Sequence, residues 1–219
     1  MIRIILYITA TLLSLNIQAK EFGVDLVWAT KNISEAEKYF SIQNGNINNM
    51  VISGEVKDIF VNDIVVEGIK TKIVKLVISA DNINDVNYKL SKLPLLRGGM
   101  LSVNNIVDLG DKWLDNLPPL KSYGLEFTWK QKLAPMDIDR ALSDDLKLVI
   151  ELYSSGILTS SYLNVQELTK KISRPIYLLT VVAKDKDDAK KIALRFKSIE
   201  REMADVKIYE LGVKVDKVP

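Results

Sequence analysis

The sequence predicts an α+β fold, with two small sandwiches of mixed or antiparallel sheet that carry helices on one face. Two observations carry this expectation. Residues 75–93, KLVISADNINDVNYKLSKL, and 179–199, LTVVAKDKDDAKKIALRFKSI, each read as an inner strand, a short polar turn and an amphipathic helix. A displacement of 103 positions pairs Ala80 with Ala183, Asp85 with Asp188, Leu90 with Ala193 and Leu93 with Phe196. Elsewhere the apolar residues recur at period two, as in Phe22, Val24, Leu26 and Trp28, or in Tyr123, Leu125, Phe127 and Trp129.

Element by element, residues 21–29 read as a half-buried strand. A helix start follows, where Ser34 and Glu37 stand at capping-box spacing. Residues 50–79 read as three strands joined at Asn62-Asp63 and Glu67-Gly68, dipeptides suited to tight hairpins. Ile73, Val74, Leu76, Val77 and Ile78 make the third run apolar on both faces. Asn82 or Asn84 caps a helix with Ile83, Val86, Leu90 and Leu93 on one stripe, stopped by Pro94. Residues 94–103 read as a loop or strand entry around Gly98-Gly99. Residues 103–117 have apolar positions at roughly helical spacing, and Pro118-Pro119 ends them.

Pro135 starts a long helix with Ile138, Leu142, Leu146, Val149, Ile150 and Tyr153 on one stripe, ending at Gly156. A shorter helix is expected over residues 165–172, a buried strand over 174–183 and a helix over 185–202. In the last strand Val206 and Ile208 share one face while Leu211, Val213 and Val215 take the other. A bulge near Glu210 and Gly212 would reconcile the phases. These β-α units are of the ferredoxin-like kind. Pro118-Pro119 divides the chain into an N-terminal unit, 20–117, and a C-terminal unit, 118–219. The C-terminal unit resembles half of a SPOR-type peptidoglycan-binding module. No second β-α-β half follows it, so no glycan binding is carried over.

The first 19 residues, MIRIILYITATLLSLNIQA, have one early Arg, a run of mostly apolar residues and a small residue at Ala19, the layout of a signal peptide. The expected location is therefore the periplasm or cell surface. Retention of the segment as a membrane anchor is the alternative. The full chain has 30 basic and 28 acidic side chains; loss of Arg3 with the leader leaves 29 against 28, a net +1 that offers no pull toward nucleic acid.

Cysteine and histidine are both absent. Thiolate nucleophiles, Ser-His-Asp relays, His/Cys zinc sites and haem held by His or Cys are thereby excluded. The acidic run at 136–151 places Asp137, Arg140, Asp144, Lys147 and Glu151 three or four apart with alternating sign, the pattern of a solvated, ion-paired helix face. No catalytic residue, metal site or cofactor is expected. Trp28, Trp113 and Trp129, which could stack on a ligand, and Arg97 of the LRGGM segment, which could meet an anion, are the binding candidates. The functional expectation is a non-enzymatic interaction protein of an envelope assembly, partnered by other envelope proteins, of the secretion, conjugation or pilus kind. A glycan or ligand binder, or a carboxylate-based hydrolase using Glu126 or Asp139, is the alternative.

Overall fold

The computed structural model describes residues 19–116, 120–170 and 172–218. The leader up to residue 18 and the Pro118-Pro119 boundary lie outside these residues. The chain runs β1 (Lys20–Trp28), α1 (Ile33–Glu37), α2 (Phe40–Ile52), β2 (Val56–Val66), β3 (Ile69–Ala80), α3 (Ile83–Leu90), α4 (Pro94–Arg97) and β4 (Leu101–Asp115). It continues with β5 (Lys121–Trp129), α5 (Pro135–Ser154), β6 (Leu158–Thr169), β7 (Ile172–Val182), α6 (Lys186–Ala193), α7 (Lys197–Glu200) and β8 (Ala204–Val215). The fold is thus mixed α+β, with one large antiparallel sheet and helices outside it.

The sheet differs from the expectation of two sandwiches. The order β1-β3-β2-β8-β5-β7-β6-β4 closes on itself into an eight-stranded barrel, because β4 pairs with β1. Read by halves, β4-β1-β3-β2 and β8-β5-β7-β6 have the same order, and β2–β8 and β4–β6 are the seams that join them. The reuse is also written in the residues: FGVDLVW at 22–28 matches YGLEFTW at 123–129, and LGDK at 109–112 matches LGVK at 211–214. Each strand can therefore bury both faces, one under helices and one in the barrel.

Two outer cores result. Phe22, Val24, Leu26, Ile59, Leu76 and Ile78 pack under α2 and α3 residues such as Ile47, Val86 and Leu90. Tyr123, Leu125, Phe127, Trp129, Leu179 and Val181 pack under Ile138, Val149, Leu152 and Ala189. Phe196, fully buried, lies 4.9 Å from Phe127 in a tilted ring contact.

Glycine makes the seams. Gly110 (φ +75°) and Gly212 (φ +105°) occupy equivalent places in β4 and β8. A Cβ on Gly110 would come within 2.2 Å of the Leu163 carbonyl oxygen, and one on Gly212 within 2.5 Å of the Val61 carbonyl oxygen. Only a residue without a side chain lets the half-sheets approach at these points. Asn62 then donates to the Leu211 carbonyl at 2.7 Å across one seam, and Asn164 donates to the Asp108 carbonyl at 2.8 Å across the other.

Several local expectations are corrected. Residues 103–115 form strand β4, not a helix; register shifts opposite Glu21/Phe22 and Asp25/Leu26, and between Lys112 and Leu114, break the alternation and imitate helical spacing. Residues 165–169 finish β6 as the outgoing arm of a hairpin with β7. β2 runs straight through Asn62-Asp63, and the hairpin turns at Glu67 (φ +49°) and Gly68 (φ +82°). Asn32, not Ser34, caps α1 by accepting from the Glu35 amide at 3.1 Å. The helix expected over 185–202 breaks into α6 and α7, where Phe196 turns extended (ψ +132°). Asp145, only 2% exposed, accepts the Lys197 amide of α7 at 2.6 Å. The two-faced β3, the α5 helix with Gly156 at φ +72°, and the bulge near Glu210 and Gly212 are all found.

Candidate functional site

Closing the sheet turns its inner face into a lumen. A cavity of about 340 Å³ runs through it, lined by Gly23 and Asp25 from β1, Phe60 from β2, and Lys75 and Val77 from β3. Asn105, Val107 and Leu109 from β4, and Gly124 and Glu126 from β5, continue the wall. Tyr162, Leu178, Thr180, Tyr209 and Leu211 complete it from β6, β7 and β8. These are the positions that alternate with the outer-core residues on the same strands. Gly23 and Gly124 are equivalent in the two halves: their missing side chains leave space occupied by Leu109 and Leu211, at 3.4 and 3.5 Å from where a Cβ would stand.

One end of the lumen is closed by charge. Lys112 and Lys214, equivalent residues of β4 and β8, each place Nζ 2.9 Å from Asp58 Oδ1. Asp115 meets both ammonium groups, at 2.8 Å to Lys112 and 2.6 Å to Lys214. Ser160 Oγ at 2.7 Å and the carbonyls of Asn116 and Thr159 also lie within hydrogen-bond distance of Lys214 Nζ and share its three protons with the two carboxylates. Lys214 and Asp58 side chains are each 1% exposed, so the pair survives desolvation only because every donor has an acceptor.

On the lumen side of this cluster Ser160 donates to Asp58 Oδ2 at 3.1 Å, and the Tyr162 hydroxyl donates to the same oxygen. Burial, then the Asp58 charge, hold the Tyr162 phenol well above its ordinary range, so it stays protonated. Burial pushes the Asp115 carboxyl up, but the hydrogen bonds and charges of Lys112 and Lys214 outweigh it and leave it below the ordinary carboxylate range. Glu21, which accepts the Lys112 amide at 3.1 Å, is raised mainly by burial.

The other end is the mouth, and its polar groups are arranged differently. Asp25 lies 3.3 Å from Lys75 and accepts from Asn104 at 2.9 Å. Lys75 reaches across to the Glu210 carbonyl at 3.0 Å. Glu126 accepts from the Tyr209 hydroxyl, whose proton is held above its usual range by burial and by that bond. Asp25 and Glu126 are again equivalent positions in the two halves. Between mouth and charged end the wall is apolar: Phe60, Val77, Leu109, Leu178 and Leu211 form one hydrophobic cluster around Tyr162.

The residues singled out from the sequence do not converge here. Trp129 is 4% exposed in the outer core, its indole N–H donating to the Pro175 carbonyl at 2.8 Å. Trp113 is 38% exposed on β4, donates to Ser161 Oγ at 2.5 Å and stacks on Tyr177. Arg97 is exposed at the end of α4. Trp28 lines a second cavity, under α2. Of the alternative carboxylates, Asp139 pairs with Arg174 at 2.8 Å on the surface, whereas Glu126 does line the lumen. The acidic helix face is solvated, with Asp137–Arg140, Asp144–Lys147 and Glu151–Arg195 pairs. Of the lumen residues the sequence singles out Glu126 alone; Asp25 and Lys75 are silent there because they alternate with core residues as a water-facing side would. The paired motifs FGVDLVW and YGLEFTW were the signal that could have shown Asp25.

No protein-family model matches the chain, and no curated protein matches it by sequence. Solved structures do resemble it. A haem-binding protein from Thermus thermophilus has a TM-score of 0.55 at 10% identity, over 88% of this chain and 90% of that one. A candidate chlorite dismutase has 0.55 at 8% identity, over 91% and 96%. Chlorite dismutase from Candidatus Nitrospira defluvii in complex with imidazole has 0.52 at 8%, over 92% of both. These likenesses overturn the expectation of a non-enzymatic scaffold in an envelope or secretion assembly, because these three solved proteins are a haem-binding protein, a candidate chlorite dismutase and a chlorite dismutase. At such identities the relationship established is one of fold.

Proposed function

We propose that the chain is an enzyme-like barrel whose lumen takes a small, apolar-bodied organic molecule and exchanges a proton with it. The observation that supports this reading most is the segregation within the lumen. An apolar wall surrounds a cavity of about 340 Å³, and the ionisable groups Asp25, Lys75, Glu126 and Tyr209 gather at one mouth. Glu126 is the candidate proton acceptor. Tyr162, whose proton is committed to Asp58, offers its oxygen to a ligand hydroxyl at the inner end.

The solved structures of this fold raise the question of haem. A haem iron needs an axial His, Cys, Met or Tyr. The sequence contains no His and no Cys. The lumen tyrosines, Tyr162 and Tyr209, both direct their hydroxyls to carboxylates, and burial keeps Tyr162 from becoming the phenolate a metal would bind. Among the described residues no methionine lines the lumen or the cavity under α2. A protein-ligated haem does not fit these residues, and the reading is of haem-independent chemistry.

The test uses 1-naphthol, a flat apolar body with one hydroxyl, and follows the red-shifted absorption band of its anion, which forms when the hydroxyl proton passes to Glu126. The expected result is saturable binding accompanied by that band, which Glu126→Gln abolishes. Leu178→Trp, which fills the wall, weakens binding at least tenfold. Binding unaffected by the Leu178 replacement, or no binding by 1-naphthol and its aliphatic alcohol analogues, overturns the proposal. The leader-like first 19 residues further support export, which fractionation and N-terminal sequencing of the mature protein would test.

A further inference from the structure

A second cavity, of about 290 Å³, lies outside the barrel, between α2 and the β2–β3 hairpin. Its wall is apolar on most sides, from Phe40, Ile47, Ile73, Val74, Leu101 and Val218. Val218 is fixed there by two bonds to the Asn48 side chain, at 3.1 and 2.8 Å. Three buried polar atoms of this wall have no hydrogen-bond partner: Trp28 Nε1, Gln43 Nε2 and Thr71 Oγ1. Gln43 is 3% exposed, and its other atom, Oε1, is held by the Leu95 amide at 3.1 Å, which leaves the NH2 group as the end that faces the space.

A buried donor without a partner is destabilising, so three around one cavity call for an occupant. The other half of the barrel shows the contrast. There the equivalent indole, Trp129, gives its proton to the Pro175 carbonyl and has no such need. Two of the three atoms in the first half are N–H donors and the third is a hydroxyl that can also donate. Lys70 and Lys72 stand at the exposed rim with Glu37, and Asp63 pairs with Lys72 across the hairpin, so the preference for negative charge comes from the three inner donors. The occupant must therefore be rich in acceptors at one end, favoured by negative charge, and apolar along the rest.

We infer that the cavity under α2 is a binding site for a small monocarboxylate with a short apolar tail, its carboxylate received by Trp28 Nε1, Gln43 Nε2 and Thr71 Oγ1. The site is separate from the lumen and does not depend on what the lumen binds.

The experiment follows the indole N–H signals of the 15N-labelled protein, that of Trp28 being assigned with Trp28→Phe, during titration with hexanoate and, separately, 1-hexanol. The expected result is a saturable shift of the Trp28 signal with hexanoate, little with hexanol, and a Trp129 signal that stays in place. Gln43→Leu should weaken hexanoate binding about tenfold, the effect of losing one charge-assisted hydrogen bond. Thr71→Val provides the same reading should the Gln43 variant fail to fold. A Trp28 signal that hexanoate leaves unmoved, one that hexanol moves equally, or a hexanoate-soaked crystal with water alone in the cavity would each overturn the inference.

Discussion

Lys112 and Lys214, equivalent residues of the two halves of the barrel, bring their ammonium groups to the same distance, 2.9 Å, from one oxygen of Asp58. A repeated lysine thus serves a carboxylate that is not repeated, since the position equivalent to Asp58 is Ser160. Asp58→Asn leaves two lysines, one of them 1% exposed, sharing only Asp115. The expected loss is about 3–5 kcal/mol in chemical denaturation. Adding Lys214→Met to that variant should restore part of it, because the two changes remove partners of one network.

Tyr162 gives the protein an alkaline limit. In the unfolded chain its phenol ionises near 10.0; in the folded one burial and Asp58 hold the proton to higher pH. Between those values the native state binds more protons than the unfolded state, so stability falls as pH rises above that ordinary value. Tyr162→Phe should remove this part of the alkaline slope while costing the Asp58 hydrogen bond. A variant and parent with superimposable slopes above pH 10 would count against the assignment.

The seam glycines tolerate no side chain. Gly110→Ala and Gly212→Ala each combine a positive φ with a Cβ less than 2.6 Å from a carbonyl oxygen of the neighbouring strand. Each is expected to lower stability by roughly 2–4 kcal/mol, whereas Gly68→Ala, with φ +82° but open space around it, should lose about 1 kcal/mol. Thermal denaturation of the three variants orders them.

Added hemin is expected to bind weakly and without the sharp, shifted absorption band of an axially ligated iron, since no His or Cys exists to supply a ligand. Stoichiometric binding with such a band, lost in Tyr162→Phe or Tyr209→Phe, would reverse this conclusion.

What could be read from the sequence was whatever depends on contacts within one element. The two-faced β3, the α5 helix with Gly156 at its end, and the phase change at Glu210 and Gly212 follow from local period and local backbone demand. The inward face of α5 is legible only in part, since Leu146 and Ile150 of the expected stripe are exposed while Ala141, Asp145 and Leu152 are buried. β4 imitates a helix in sequence because bulges shift its partners, and a bulge inserts a residue that converts period two into helix-like spacings. Closure was hidden for a different reason. It depends on Asn62, Asn164, Gly110 and Gly212, which meet strands remote in sequence. The likeness of the two halves is faint at 75–93 and 179–199, where the helices differ in sequence. It is clearest in the β1 and β5 strands, where both faces of the chain are constrained. Alternation also cannot distinguish a face turned to water from one turned to a polar lumen, so nothing in the sequence marks Asp25 or Lys75 as lining one.

The most direct measurement is the methyl spectrum of the labelled protein with saturating 1-naphthol. A ligand seated in the barrel should shift the methyls of Val77, Val107, Leu109, Leu178 and Leu211, which face the lumen, and leave those of Ile47 and Leu95 under α2 unmoved. Shifts at Ile47 and Leu95 with the lumen methyls silent would contradict binding in the lumen.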